Sequence, residues 1–200
     1  VGSLVIGQII ARYGNSSGLM LMNAGTLVAT NLILGQNLSS TNASGIAANG
    51  TFVLNGGTVT VDTLTLSDNV RTNNGIARGT FALSNGLLQA AVILKGRALG
   101  TNVAALSWAG GTIANRDAAT DLVISNGVAI DLTSGGMHVL SADAGRAVTV
   151  YASMTGTAGL VKQGLGTAVL GATNTYAGAT IISNGALWVN GLVTGPITVD

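Results

Sequence analysis

The 200-residue chain has no cysteine, no glutamate and only 8% charged residues. Without cysteine there is no disulfide framework and no thiolate metal site, and redox chemistry does not fix a compartment. Roughly a quarter of an average protein is charged, so this chain is short of ionic surface. Its acids are Asp62, Asp68, Asp117, Asp121, Asp131, Asp143 and Asp200. Glutamate favours helices, and its absence fits strands. The basic residues are spread singly and the net charge is +1, which leaves no patch for nucleic acid. Also absent is a run of about eighteen apolar residues: Gly, Thr, Asn or Ser interrupts each hydrophobic stretch, so the positive mean hydropathy does not signify a transmembrane helix. The chain opens on Val1-Gly2-Ser3 with neither an initiator Met nor a basic leader region, and reads as an internal piece of a longer protein.

Hydrophobic residues, at 48%, and 30 glycines are abundant, and they are arranged periodically. Gly18–Gln36, Gly50–Asp68 and Gly79–Gly96 fall into register at a period of about thirty residues, the signature of a solenoid. Each copy holds three alternating segments. Met20/Met22, Phe52/Leu54, Phe81/Leu83 and Leu106/Trp108 occupy the first, spaced i and i+2 as on one face of a strand. Leu27/Ala29, Val59/Val61, Leu88/Ala90 and Ile113 occupy the second. Leu4/Ile6, Leu32/Leu34, Leu64/Leu66, Val92/Leu94 and Leu122/Ile124 occupy the third. Three inward columns imply three sheet faces.

A turn ending in Gly separates the first two segments, as in Asn55-Gly56-Gly57 and Ser84-Asn85-Gly86, and Ser-Asn-Gly returns at 125–127 and 183–185. Asn and Gly tolerate the positive φ that a tight corner needs. Asn-Gly also favours hairpins, but hairpins do not generate a thirty-residue period with three apolar columns. The third segment leads into polar loops of unequal length at Gln36–Asn49, Asp68–Arg78 and Arg97–Val103. No stretch keeps a helical period. The expectation is an all-β parallel solenoid running from 1 to 200, with three faces and about seven coils, about 35 Å long at the usual strand spacing. Leu4–Gln8 repeats Leu32–Gln36, and Pro196–Asp200 reads as a strand beginning. Open strand edges there would favour continuation in both directions or end-to-end self-association.

Between Thr155 and Asn190 the spacing becomes more distinctive. Gly156, Gly159, Leu160, Lys162, Gly164, Gly166, Thr167, Leu170, Asn174, Thr175, Tyr176, Gly178, Thr180, Ile182, Gly185, Leu187 and Val189 fit the pattern GxGGLxKxGxGTLxLxGxNTYxGxTxIxxGxLxV. Ala158, Ala168 and Ala172 depart from it. The segment resembles the autotransporter-associated, or passenger-associated transport, repeat. That resemblance implies a right-handed, single-stranded parallel β-helix in the exported passenger of a bacterial surface or secreted protein, with a role in passenger folding and export. It also implies an outer-membrane barrel of the same polypeptide as a partner outside these residues. Independently of the family, Gly164, Gly166, Gly178 and Gly185 read as corners, Leu160, Leu170, Leu187 and Val189 as interior, and Asn174-Thr175-Tyr176 as a turn that satisfies backbone groups.

Parallel β-helices also include enzymes acting on polysaccharides, which need acids and bases gathered on one face. The densest cluster is Arg116, Asp117 and Asp121, which reads as a solvated loop. His138 is the sole histidine, and although Asp143 and Arg146 follow it, no nucleophile stands at a defined spacing. No Gly-Gly-x-Gly-x-Asp calcium repeat occurs, and the glycines of 156–166 precede a strand rather than the helix a phosphate loop requires. The chain is therefore expected to be neither an enzyme nor a cofactor or metal protein. Trp108 falls on an inward column. Trp188, between inward Leu187 and Val189, turns outward, with Tyr176 or Tyr151 beside it as candidates for a glycan or protein contact. Two readings stand: a structural display segment, and an adhesin whose long side binds glycans or cell-surface proteins.

Overall fold

The computed structural model describes residues 2–10, 14–39, 46–70, 75–133 and 136–200. The described residues hold 21 strands and no helix, and every strand pair is parallel. Parallel partners joined by short corners are what a β-solenoid requires and a hairpin array forbids.

Face one stacks Ser16–Met22, Ala47–Leu54, Ile76–Leu83, Thr101–Trp108, Ala129–Leu132 and Met154–Gly156. Faces two and three form one continuous 13-stranded sheet, because Thr26–Asn37, Thr58–Asn69 and Leu87–Lys95 each bend from one face onto the other. Face two continues through Gly111–Asn115, His138–Ser141, Leu160–Gln163, Thr180–Ile182 and Ile197–Val199. Face three begins with Ser3–Ile9 and continues beyond the long strands through Leu122–Ile124, Ala147–Val150, Thr167–Leu170 and Ala186–Val189. In the last coils the place of face one is taken by the short pair Thr173–Asn174 and Leu192–Val193.

The face-three partners Leu4, Leu32, Leu64, Ile93, Ile124, Val150, Leu170 and Val189 lie one above another in successive coils. Their spacings are 28, 32, 29, 31, 26, 20 and 19 residues, so seven steps are present as expected. The thirty-residue period is a property of the first coils only. The last coils close in about two thirds of that length because their strands are two to four residues long.

The interior is a continuous apolar stack, with the Phe52 and Phe81 rings parallel at 5.1 Å and Trp108 buried near His138. Three residues assigned inward need correction. Val92 and Leu94 face outward and Ile93 is fully buried, because one unpaired residue turns each corner between faces two and three. Those residues are Thr30, Asp62 and Ala91, so the inward positions on either side stand three apart, as in Val61 and Leu64 or Ala90 and Ile93. Val189 lies over Leu170 but is 38% exposed.

The expected loops are shorter than their sequences suggest. Gln36–Asn37, Ala47–Asn49, Asp68–Asn69, Ile76–Arg78 and Thr101–Val103 are strand, while residues 40–45 and 71–74 lie outside the described residues. Ile9, Ile46 and Ala48 form a small second core in this outlying part. Ser-Asn-Gly serves three different corners: 84–86 joins faces one and two, 125–127 joins three and one, and 183–185 joins two and three.

Candidate functional site

Among the described residues, face three is the long side with ion pairs along both of its borders. Its border with face one is set by a left-handed kink after the second inward residue, at Gly7, Gly35 and Ser67, with φ of 70°, 69° and 67°. A Cβ on Gly35 would stand 2.0 Å from the Arg78 carbonyl oxygen. Ser67 accommodates the same kink while its Oγ donates to the Ala77 carbonyl at 2.9 Å.

Beyond the kink the chain projects a polar ladder. The Gln8 amide donates to Gln36, the Gln36 amide donates to Asp68 Oδ2 at 3.1 Å, and Arg97 grips Asp68 through Nε at 3.1 Å, Nη2 at 2.9 Å and its backbone N–H at 3.0 Å. Burial pushes the Asp68 carboxyl up, but the bonds from Arg97 and Gln36 outweigh it and hold the group below its usual range. The ladder walls an open cleft of about 610 Å³ with Ile33, Thr65, Leu94 and Lys95.

At the opposite border, with face two, Arg116 bridges Asp62 and Asp117, the latter at 2.8 Å, and Arg146 lies 3.7 Å from Asp121. Asp117 is held low by the Ala119 N–H, the Thr120 hydroxyl and Arg116, and Arg116 is raised by the two carboxylates. Asp117 and Asp121 each stand against an arginine; they do not form an acid pair. All four ion pairs among the described residues thus lie along one or other border of face three.

Between the borders runs an unbroken outward column: Asn31, Thr63, Val92, Val123, Thr149, Val169 and Trp188. Trp188 is 60% exposed, as alternation predicts. Tyr151 is also exposed, its ring lying so close over Gly171 that a Cβ there would meet Cδ1 at 2.9 Å. Two further clefts open here, of about 500 Å³ beside Val123 and Tyr151 and about 430 Å³ beside Val169 and Trp188.

Tyr176 does not join them. It is fully buried, sharing a 2.5 Å hydrogen bond with the Thr180 hydroxyl, and burial raises its phenol above the ordinary value. Tyr176, expected beside the outward Trp188, is instead part of the core. His138 is likewise buried, with Nε2 2.7 Å from the Trp108 carbonyl oxygen. No group of three metal-ligating side chains occurs among the described residues.

Lys162 carries a role that its charge concealed. Its side chain is fully buried, and its ammonium donates to the carbonyls of Gln163 at 2.6 Å, Gly164 at 2.7 Å and Asn184 at 3.0 Å. It therefore ties one corner to the same corner of the next coil. Burial pushes the ammonium below its usual value. The signal in the sequence is parity: Lys162 stands two residues from inward Leu160. Asn174 performs a comparable service, accepting from Met154 N–H at 3.1 Å and donating to the Ala172 and Leu192 carbonyls at 2.8 and 3.2 Å. Gly164, Gly166, Gly178 and Gly185 each sit where an added Cβ would lie 2.1–2.3 Å from backbone of the preceding coil or corner.

No curated protein and no solved structure matches the chain. The segment tied together by Lys162 and Asn174, about one and a half turns long, does have a counterpart, for residues 160–189 match the model of the family described as Passenger-associated-transport-repeat.

Proposed function

We propose that the chain is a structural and display segment in the passenger of an autotransporter-like bacterial surface or secreted protein, and that its 160–189 segment aids passenger folding and export. The match of that segment to the transport-repeat family carries this reading. The segment's construction supports it, since glycines at close backbone approaches, a buried Lys and a bridging Asn encode shape rather than chemistry. An outer-membrane barrel of the same polypeptide is the partner the reading calls for. No catalytic step is assigned: Asp62, Asp68, Asp117 and Asp121 are each engaged by an arginine. Deleting one whole turn of that segment, residues 160–179, which leaves Thr180 in the place of its partner Leu160, should reduce surface display or secretion of the full-length protein relative to deletion of one upstream coil. Equal display of the two deletions would refute the transport role.

A second reading, adhesion through the solenoid side, is favoured by one observation. Trp188 and Tyr151, both exposed, each line a cleft along face three.

A further inference from the structure

We propose that face three binds an extended, uncharged polysaccharide lying along the solenoid axis over the column that ends in Trp188. The inference rests on the adhesive reading and is independent of the transport role. The column presents one outward side chain per coil from Asn31 to Trp188, a track of about 29 Å at the usual strand spacing. Its amide and hydroxyl groups (Asn31, Thr63, Thr149) are interleaved with valines, and the exposed Trp188 and Tyr151 rings stand toward its C-terminal end. That mixture suits a ligand with apolar C–H ring faces and many hydroxyls: aromatic faces stack on the former, and amides and hydroxyls bond the latter.

Other occupants fit less well. An extended peptide docks by adding to a strand edge, and the inner strands of face three already have a partner on each side. An acyl chain gains nothing from Asn31, Thr63 and Thr149. A polyanion would find Arg97, Arg116 and Arg146 at the borders engaged by aspartates, with Lys95 as a cation outside those pairs.

The test is calorimetric titration of the 200-residue chain with xyloglucan, glucomannan and dextran, and separately with polygalacturonate. At least one neutral polymer should bind, and Trp188→Ala should weaken it by about tenfold or more, with Trp188→Tyr partly restoring it. Leu19→Ser, on face one, should leave binding unchanged. Circular dichroism and thermal midpoints matched to the unmodified chain would show that each variant folds, and surface display of the full-length Trp188→Ala protein should be normal, which separates this inference from the transport role. Absence of binding to every neutral polymer overturns the proposal. So does neutral binding that Trp188→Ala leaves intact, or binding confined to polygalacturonate and abolished by Lys95→Gln. Concentration-dependent dimerisation lost in Trp188→Ala, without any heat from the neutral polymers, would assign the face to a second copy of the chain instead.

Discussion

Two buried charges show how single residues hold this solenoid. Among the described residues no carboxylate pairs with Lys162; its ammonium is satisfied by three carbonyls at a corner. Replacing it with Met keeps the stem but strips those carbonyls of their donor, and should lower stability by about 1–3 kcal/mol, seen as a lower thermal midpoint. Because its folded-state pKa lies below 10.5, the unfolded chain binds more protons between the two values, and stability should rise with pH across that window. Lys162→Met should lack this rise. Tyr176 acts in the opposite sense only above 10.0, where its raised phenol costs stability, so the comparison belongs below that pH. Asp68 works at the acid end. Its contribution is complete above 3.8 and is lost as pH falls through its lower folded value. Asp68→Asn should cost about 1.5–3 kcal/mol at neutral pH and flatten the acid limb of the stability curve. Neither role was legible from residue type, since a lone Lys or Asp reads as solvated. Parity with Leu160 and Leu66 marks both as inward or corner positions.

At the scale of the strand, alternation made most of the inward columns readable, because each strand has one wet and one dry side. It failed where a strand crosses a corner. The single unpaired residue there reverses the parity, so Ile93 rather than Val92 continues the column of Leu32 and Leu64. Ile93→Ala should therefore cost about 2–5 kcal/mol, whereas Val92→Ala, on the outward side, should cost under about 1 kcal/mol. Thermal midpoints of the two variants would decide the register, and equal shifts would contradict it. Tyr176 was misplaced for a different reason. A turn motif rich in Asn and Thr suggests solvent, but short coils have so little interior that a turn side chain fills it, its hydroxyl satisfied by Thr180. The charged borders of face three were hidden altogether, since they join residues far apart in sequence, such as Asp62 and Arg116.

For the whole molecule, the all-β parallel stack was legible because a repeat displays its own periodicity, and the number of steps followed from it. The contraction of the coils was less visible. The repeat motif at the C-terminal side packs a whole turn, its short third side included, into 20 and 19 residues, against 28 to 32 in the first coils. Each coil contacts its immediate neighbours, so stability is a sum of local stacking terms, and a stack of this kind opens coil by coil from an end. Contraction then has a mechanical meaning. Every coil adds the same rise of about 4.8 Å to the rod, yet stores a different length of thread. Pulled from its C-terminal end in single-molecule force spectroscopy, the chain should first release about 70 Å per coil, and later about 100 Å, at the usual extension of a residue. Equal increments throughout would contradict this. The same rod is thus a spool wound with short turns at one end and long turns at the other, and the end that is seized decides how far it reaches for each coil it gives up.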